Sequence, residues 1–305
     1  MPEDQFETIT CNICGSDHST VIFPSARKEG GAKSGEFRSS GDEPLADPLV
    51  RCTSCGFMYV NPRLKPGLVL DGYKSAVDEV FVSQAASRVR TFRRCLRIVQ
   101  GAWGKAPGKI LDVGTANGSF LKAARDAGWE VSGCEPSAWM GEWCRKNYGI
   151  DITPGTIFDI AAPNGSFDVI TLWDVIEHTP DPKTVLERCS RLLKKGGLLA
   201  VNYPDAGSWI TRLMGRKWVF YLSVHYFYYT RKTMRLALEK AGFEVLKMRP
   251  HFQSLELDYI LFRASAYVGA LAKVPRAVFA RLGLGGLQVP YWIGQTMVIA
   301  RKKQT

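Results

Sequence analysis

Between residues 105 and 250, short apolar runs of strand character alternate with stretches whose apolar residues recur every three to four positions. The run Lys109–Val113, with Asp112 near its tip, gives way to the small turn Gly114-Thr115-Ala116-Asn117-Gly118. Phe120, Leu121, Ala123 and Ala124 then take up helical spacing. A second strand, Trp129–Cys134, ends in Glu135. A third, Phe167–Trp173, is closed by Asp174-Val-Ile-Glu177-His178-Thr-Pro-Asp181-Pro182. The pattern predicts a helix over 183–193 that stops at Lys194-Lys195-Gly196-Gly197, followed by a strand over Leu198–Asn202. A helix over Lys232–Ala241 and strands at Phe243–Met248 and Tyr291–Ala300 complete the series. Such alternation predicts an α/β fold with a parallel sheet covered on both faces. Outside it, Val77–Val99 reads as one amphipathic helix, and residues 257–287 as a helical insertion interrupted at Pro275.

The turn after the first strand discriminates among ligands. A dinucleotide-binding turn uses Gly-x-Gly-x-x-Gly to cradle a pyrophosphate, whereas this one reads Asp-x-Gly-x-Ala-x-Gly and places an acid where a pyrophosphate would be repelled. A cationic or zwitterionic nucleoside suits it better. Glu135, at the tip of the next strand, stands where an acid can accept hydrogen bonds from both ribose hydroxyls. The turn resembles motif I of class I S-adenosylmethionine-dependent methyltransferases, with Thr115-Ala116 where Cys-Gly is common. "FDVITLWDVIEHTPDP" and "LLKKGGLLAVNYPD" resemble the fourth and fifth strands of their sheet. The resemblance implies a Rossmann-like, mostly parallel seven-stranded sheet with helices on both faces.

A second pattern lies upstream. Cys11-Asn-Ile-Cys14-Gly15 and Cys52-Thr-Ser-Cys55-Gly56 are two Cys-x-x-Cys-Gly knuckles, and four thiolates at this spacing read as one structural zinc site. The intervening Ser25–Asp47 is rich in Gly, Ser and charge and is expected to be mobile. Knuckles followed by "FMYVNPRLKP" and Tyr73, ahead of such a core, resemble bacterial zinc-ribbon-headed methyltransferases of sugar, polysaccharide and secondary-metabolite pathways. The expected organisation is a zinc-ribbon-like domain over 1–65, a helical linker or lid over 66–104, and a methyltransferase domain over 105–305.

Composition adds a compartment and a charge asymmetry. The first residues lack a basic-then-apolar leader, no run is apolar enough to span a bilayer, and thiolates kept for zinc imply reducing conditions; a cytoplasmic location is expected. The net charge of +11 lies wholly in residues 205–305, where 16 Lys and Arg face 5 Asp and Glu. That excess reads either as a solvated face or as a grip on an anionic partner.

Within the resemblance, Asp112, Gly114, Thr115, Ala116, Asn117, Gly118 and Glu135 would hold S-adenosylmethionine. Phe158 and Asp159 would meet its adenine, with Trp173 at the tip of the fourth strand. His178, just past that strand, and His225, in the aromatic segment Trp218–Tyr229, are candidate general bases. Tyr221, Tyr226 and Tyr228 are candidates for a sugar pocket, and Asp168 reads as structural. The expected acceptor is a small molecule, anionic or glycan-related. Peripheral membrane contact through Leu257–Val274 remains open, against a helix pair packed on the core or on a second subunit. Two rival readings are an RNA-directed methyltransferase and a non-catalytic zinc-ribbon module. Nucleic acid is disfavoured because Asn202-Tyr-Pro-Asp205 lacks the Pro-Pro-aromatic sequence of exocyclic-amine methyltransferases.

Overall fold

The computed structural model describes residues 5–27, 43–75, 77–268 and 270–304. Most of the inter-knuckle loop expected to be mobile, at 28–42, lies outside the described residues, as do the side chains at 266–273.

An N-terminal lobe is framed by β1 (Phe6–Glu7) pairing with β5 (Arg63–Leu64). Its centre is an antiparallel ribbon of β2 (Ser19–Phe23), β3 (Leu49–Cys52) and β4 (Met58–Val60). Three helices follow: α1 (Pro66–Ser75), α2 (Glu79–Ser83) and α3 (Ala85–Trp103). The single helix expected over 77–99 is therefore two, parted at Gln84, because the Asp78 side chain caps a separate short helix by accepting from Phe81 N–H.

The large sheet is built from β6 (Lys109–Val113), β7 (Glu130–Glu135), β8 (Thr153–Pro154), β9 (Phe167–Trp173), β10 (Leu193–Pro204), β12 (Phe243–Pro250) and β15 (Gln295–Lys302). Its seven strands run in the order β12-β15-β10-β9-β6-β7-β8, and only β15 is antiparallel to its neighbours. Side chains alternate across it with period two. Ile110, Val169, Leu198, Ala200, Met297 and Ile299 pack beneath α3 and α4 (Ser119–Asp126). Leu111, Ile170, Leu199, Val201, Val298 and Ala300 pack on the other face with α6 (Pro182–Leu192) and α8 (Arg231–Lys240). Both faces are thus covered, and the strand sequences are apolar on both sides. Helix α5 (Ala138–Tyr148) joins β7 to β8 and α7 (Trp209–Met214) follows β10.

Three local expectations are corrected. Lys194–Gly197 is not a helix stop. Helix α6 ends at Leu192 and β10 begins at Leu193, with a register shift between Leu193 and Leu198 that Gly196, at φ +72°, accommodates. The final strand is not continuous: β14 (Gln288–Tyr291) pairs with β13 (Gln253–Glu256), and the chain turns at Gly294, φ +102°, before β15. The insertion is α9 (Leu257–Val268) and α10 (Ala270–Arg281), and Pro275 lies inside α10 rather than ending it. A two-point ion pair from Arg276 to Asp258 ties the two helices together.

The lobe is not separate from the core. β11 (Phe227–Tyr228) leaves the C-terminal part of the chain to become the edge strand of the ribbon, pairing with β4. Phe57 stacks on Phe227 at 5.5 Å, and Cys11, Cys52 and Tyr59 share one buried cluster with Leu111 and Leu199.

Candidate active site

At the carboxyl end of β6 the chain turns within five residues into α4, which requires left-handed backbone at Gly114 (φ +63°), Ala116 (φ +47°) and Gly118 (φ +73°). The first and last of these must also lack a side chain. A Cβ would fall 2.7 Å from Val175 at Gly114 and 2.2 Å from Cys144 at Gly118. Ala116 is the exception, and its left-handed conformation is held from outside: its N–H donates to Glu135 Oε2 at 2.9 Å. Ser137 N–H donates to the other oxygen at 2.9 Å. Glu135 therefore clasps the glycine turn to the tip of β7, and each oxygen keeps a second acceptor direction. Burial raises its carboxyl above the usual range, opposed by the two N–H donors. Asn117 Nδ2 is buried in the same turn without a partner, a donor left for a ligand.

Asp112 faces inward instead. It is buried and accepts from Thr171 Oγ1 at 2.5 Å, tying β6 to β9, and burial pushes its carboxyl up to about 7. Phe158 and Asp159 lie on a 3-10 turn that Gly155 N–H joins to the Glu135 carbonyl at 2.9 Å. Phe158 is half exposed, at 54%. Asp159 closes a capping box with Thr156, whose N–H and hydroxyl hold its carboxyl below the usual range. The structure thus brings Glu135, Gly114–Gly118 and Phe158–Asp159 to one end of the sheet. Trp173 is placed differently, buried in the α3/α4 face against Phe92, Phe120 and His251. Asp168 accepts from Lys109 N–H and pairs with Lys194, a structural role.

Just past β9, Asp174 stands at φ +53° and accepts from the Asn202, Gln253 and Gln295 side chains. The next turn carries Glu177 and His178. His225 comes from the aromatic segment, and the two imidazoles meet edge to face at 4.6 Å. His178 Nδ1 lies 3.1 Å from Val224 O and 2.9 Å from Tyr73 Oη of α1. His225 Nδ1 lies 2.9 Å from Phe220 O. Since a carbonyl can only accept, the His225 contact calls for a proton on Nδ1 and a lone pair on Nε2, whereas His178 Nδ1 faces both a carbonyl and the Tyr73 hydroxyl. Burial lowers His178 to about 4, and burial together with His178 holds His225 well below the usual value, so both are neutral near pH 7. Glu177 is buried with neither carboxylate oxygen hydrogen-bonded, and burial reinforced by Asp174 raises its carboxyl well above the ordinary range. Its main-chain carbonyl accepts from Tyr226 and Phe227 N–H, which fixes the aromatic segment against this turn. Glu177 and Tyr73 were visible in the sequence only as motif letters; neither carried a periodic or spacing signal of its own.

The tyrosines divide. Tyr228 donates to Leu222 O, whereas the Tyr226 hydroxyl is buried without a partner beneath the Arg63 guanidinium, 4.7 Å from its ring centre.

Across the lobe, the Sγ atoms of Cys11, Cys14, Cys52 and Cys55 all lie within 4.8 Å of one another, with Cys11–Cys55 and Cys14–Cys52 at 3.5 Å. Tetrahedral thiolates about 2.3 Å from zinc stand roughly 3.8 Å apart, so the donor set fits that ion. Between the first two cysteines, Asn12 donates to Asp181 Oδ1 at 2.8 Å and accepts from Lys183 N–H at 3.0 Å. The knuckle thereby holds the start of α6, whose N-cap Asp181 lies four residues beyond Glu177.

A glycine turn and acid-tipped strands at the carboxyl edge of a mostly parallel sheet are the arrangement in which α/β proteins hold nucleosides. The family model described as "Methyltransferase domain" matches residues 87–248, more than half of the chain, and the chain belongs to that family. The ubiquinone biosynthesis O-methyltransferase of Pectobacterium atrosepticum is 28% identical over 128 residues, which span 39% of this chain and 52% of that protein. The enzyme of the same name from Actinobacillus pleuropneumoniae is 36% identical over 109 residues, 32% of this chain and 45% of that protein. The chain spans about half the length of the curated relatives it matches. A SAM-dependent methyltransferase structure from Archaeoglobus fulgidus, 17% identical, shares the fold with a TM-score of 0.50 over 70% of this chain and 94% of that one.

Proposed function

We propose that this protein transfers a methyl group from S-adenosylmethionine to an oxygen of a small-molecule acceptor, a sugar, polysaccharide or secondary-metabolite precursor. The observation that carries the reading is the Glu135 clasp on the Gly114–Gly118 turn, at the same sheet edge as the Glu177–His178–His225 group. The names of the curated relatives favour oxygen as the methylated atom, and the zinc-ribbon resemblance favours a glycan-related acceptor. The cysteine set would hold a structural zinc.

S-adenosylmethionine supplies an electrophilic methyl group on a sulfonium. Methyl transfer is an in-line displacement in which positioning is the main help an enzyme gives. Glu135 accepts from the ribose, the glycines admit the ligand to the backbone, and Phe158–Asp159 border the adenine. Tyr73 makes α1 the part of the 66–104 segment that closes the acceptor side. The neutral His225 imidazole offers its Nε2 lone pair to the acceptor, and Tyr226 offers a hydroxyl.

The basic last third, with Val274, Val278 and Leu282 of the insertion exposed, suits an anionic acceptor or an anionic surface that delivers it. Among the described residues no helix is long and apolar enough to cross a membrane.

Calorimetry with S-adenosylhomocysteine tests the cofactor, and transfer of labelled methyl to a panel of nucleotide sugars and phenolic diols tests the acceptor. Absence of cofactor binding in the zinc-loaded protein would overturn the reading. Co-sedimentation with anionic vesicles at low salt tests the surface. Binding that survives deletion of 257–287 removes the insertion from that role.

A further inference from the structure

We infer that Glu177, His178 and His225 form a binding site for a divalent transition-metal ion, separate from the cysteine cluster, and that the ion takes the acceptor through two oxygen atoms. One donor atom from each of the three residues lies within 4.8 Å of the others. Closure around an ion with bonds of about 2.1 Å asks for a contraction of roughly 1 Å, within the reach of side-chain rotation.

Three features distinguish this group from a chance cluster. Glu177 is 1% exposed, yet both its carboxylate oxygens lack a hydrogen-bond partner. A buried carboxyl left in that state costs free energy in either protonation form unless something binds it. Its near neighbour is a second buried carboxyl, Asp174, and no Lys or Arg is ion-paired to Glu177 among the described residues. Both imidazoles are anchored through Nδ1 to backbone carbonyls, of Val224 and Phe220, which is how a ligating histidine is held with Nε2 free for a metal. The anchors come from the aromatic segment that the Glu177 carbonyl itself fixes, so the three donors form one preorganised unit.

Two neutral imidazoles and one carboxylate are a borderline donor set. It suits manganese, iron, cobalt or zinc better than calcium, and it leaves coordination positions open. The consequence for the reaction rests on the methyl-transfer reading; the site itself does not. An acceptor hydroxyl on the ion loses its proton to solvent far more readily than when free. The resulting alkoxide or phenoxide oxygen forms a bond to the methyl carbon. The methyl–sulfur bond breaks with its electron pair going to sulfur, and the sulfonium becomes a neutral thioether. Charge and atoms balance without an oxidant. A second open position selects acceptors with an adjacent oxygen, such as vicinal diols, catechols or hydroxy-carbonyl compounds.

The test is titration of the zinc-loaded protein with Mn2+, read by electron paramagnetic resonance, with S-adenosylhomocysteine calorimetry on the same samples. Thiolates retain zinc against manganese, so the ribbon is silent in the titration. The expected result is one Mn2+ per chain, with affinity weakened more than about 100-fold in Glu177→Gln and in His225→Gln. Circular dichroism and zinc content identify any variant that fails to fold, in which case His178→Gln serves. Wild-type protein that binds no Mn2+, Co2+ or second Zn2+, or folded variants that bind like wild type, would overturn the site. Cofactor binding without metal binding sinks this inference and leaves the methyltransferase reading; metal binding without cofactor binding does the reverse.

Discussion

Glu135 and Asp112 are carboxylates on neighbouring strands, and their surroundings give them opposite tasks. Glu135 receives two backbone N–H groups and keeps acceptor capacity facing the turn. Glu135→Ala is expected to weaken S-adenosylhomocysteine binding by about 1.5–3 kcal/mol, the range for hydrogen bonds to a charged group. Equal affinity in calorimetry would take Glu135 out of the site. Asp112 instead has a buried carboxyl pushed up to about 7, against about 3.9 in an unfolded chain. Between those values the folded protein keeps a proton that the unfolded chain has released. The stability this contributes is complete below about pH 4 and is lost as pH rises toward 7. Asp112→Asn retains an oxygen for Thr171 and removes the titration. Its Tm relative to wild type should rise between about pH 5 and about pH 8; a constant difference would show Asp112 ionised throughout. For the imidazoles, His225→Gln should lower turnover by roughly 10²–10⁴-fold with cofactor affinity intact, whether the ring accepts a proton or holds an ion. Near-normal turnover would remove it from both roles.

At the scale of elements, the strands and the glycine turn were legible because their causes are local. Near-continuous apolar runs on β6, β9 and β10 reflect helices on both faces, and small residues mark the left-handed turn. The Lys194–Gly197 segment misled because a basic, glycine-rich stretch signals a helix end and a strand bulge equally well. What the sequence could not show is long-range pairing. Nothing in Phe227-Tyr228 announces that it becomes an edge strand against Tyr59 and Met58, about 170 residues earlier in the chain. The same pairing explains why Glu177 escaped notice: its place depends on main-chain bonds to Tyr226 and Phe227. Phe227 is 1% exposed and stacks on Phe57. Phe227→Ala is therefore expected to cost about 3–5 kcal/mol in urea unfolding and to open the 218–229 segment to proteases. A loss under about 1 kcal/mol would mean that the aromatic segment stands without the ribbon.

Across the whole molecule, the cysteine cluster is tied to the proposed acceptor side, the turn bearing Glu177 and His178. Cys11 and Cys52 belong to the buried cluster that runs into the sheet, and Asn12 holds Asp181 and Lys183 at the start of α6. Arg63 donates to Pro180 O from the same lobe. These contacts converge on the turn bearing Glu177 and His178, whereas among the described residues the hydrogen bonds that hold Gly114–Gly118 and Glu135 run within β6, β7, α4 and the turns beside them. The zinc proposed for this cluster would contribute its binding free energy to the fold of the domain that ligates it. Losing it should therefore release one side of the site first. Cys14→Ser alters the exposed cysteine of the set and leaves the buried packing in place. Hydrogen exchange on that variant is expected to speed up at 9–16, 49–60, 176–183 and 220–229, with 109–118 still protected and S-adenosylhomocysteine affinity little changed. Methyl transfer should fall with the loss of protection at 176–183. Uniform loss of protection would mean that lobe and sheet unfold as one cooperative unit, and unchanged exchange at 176–183 would mean that the lobe does not hold the acceptor side.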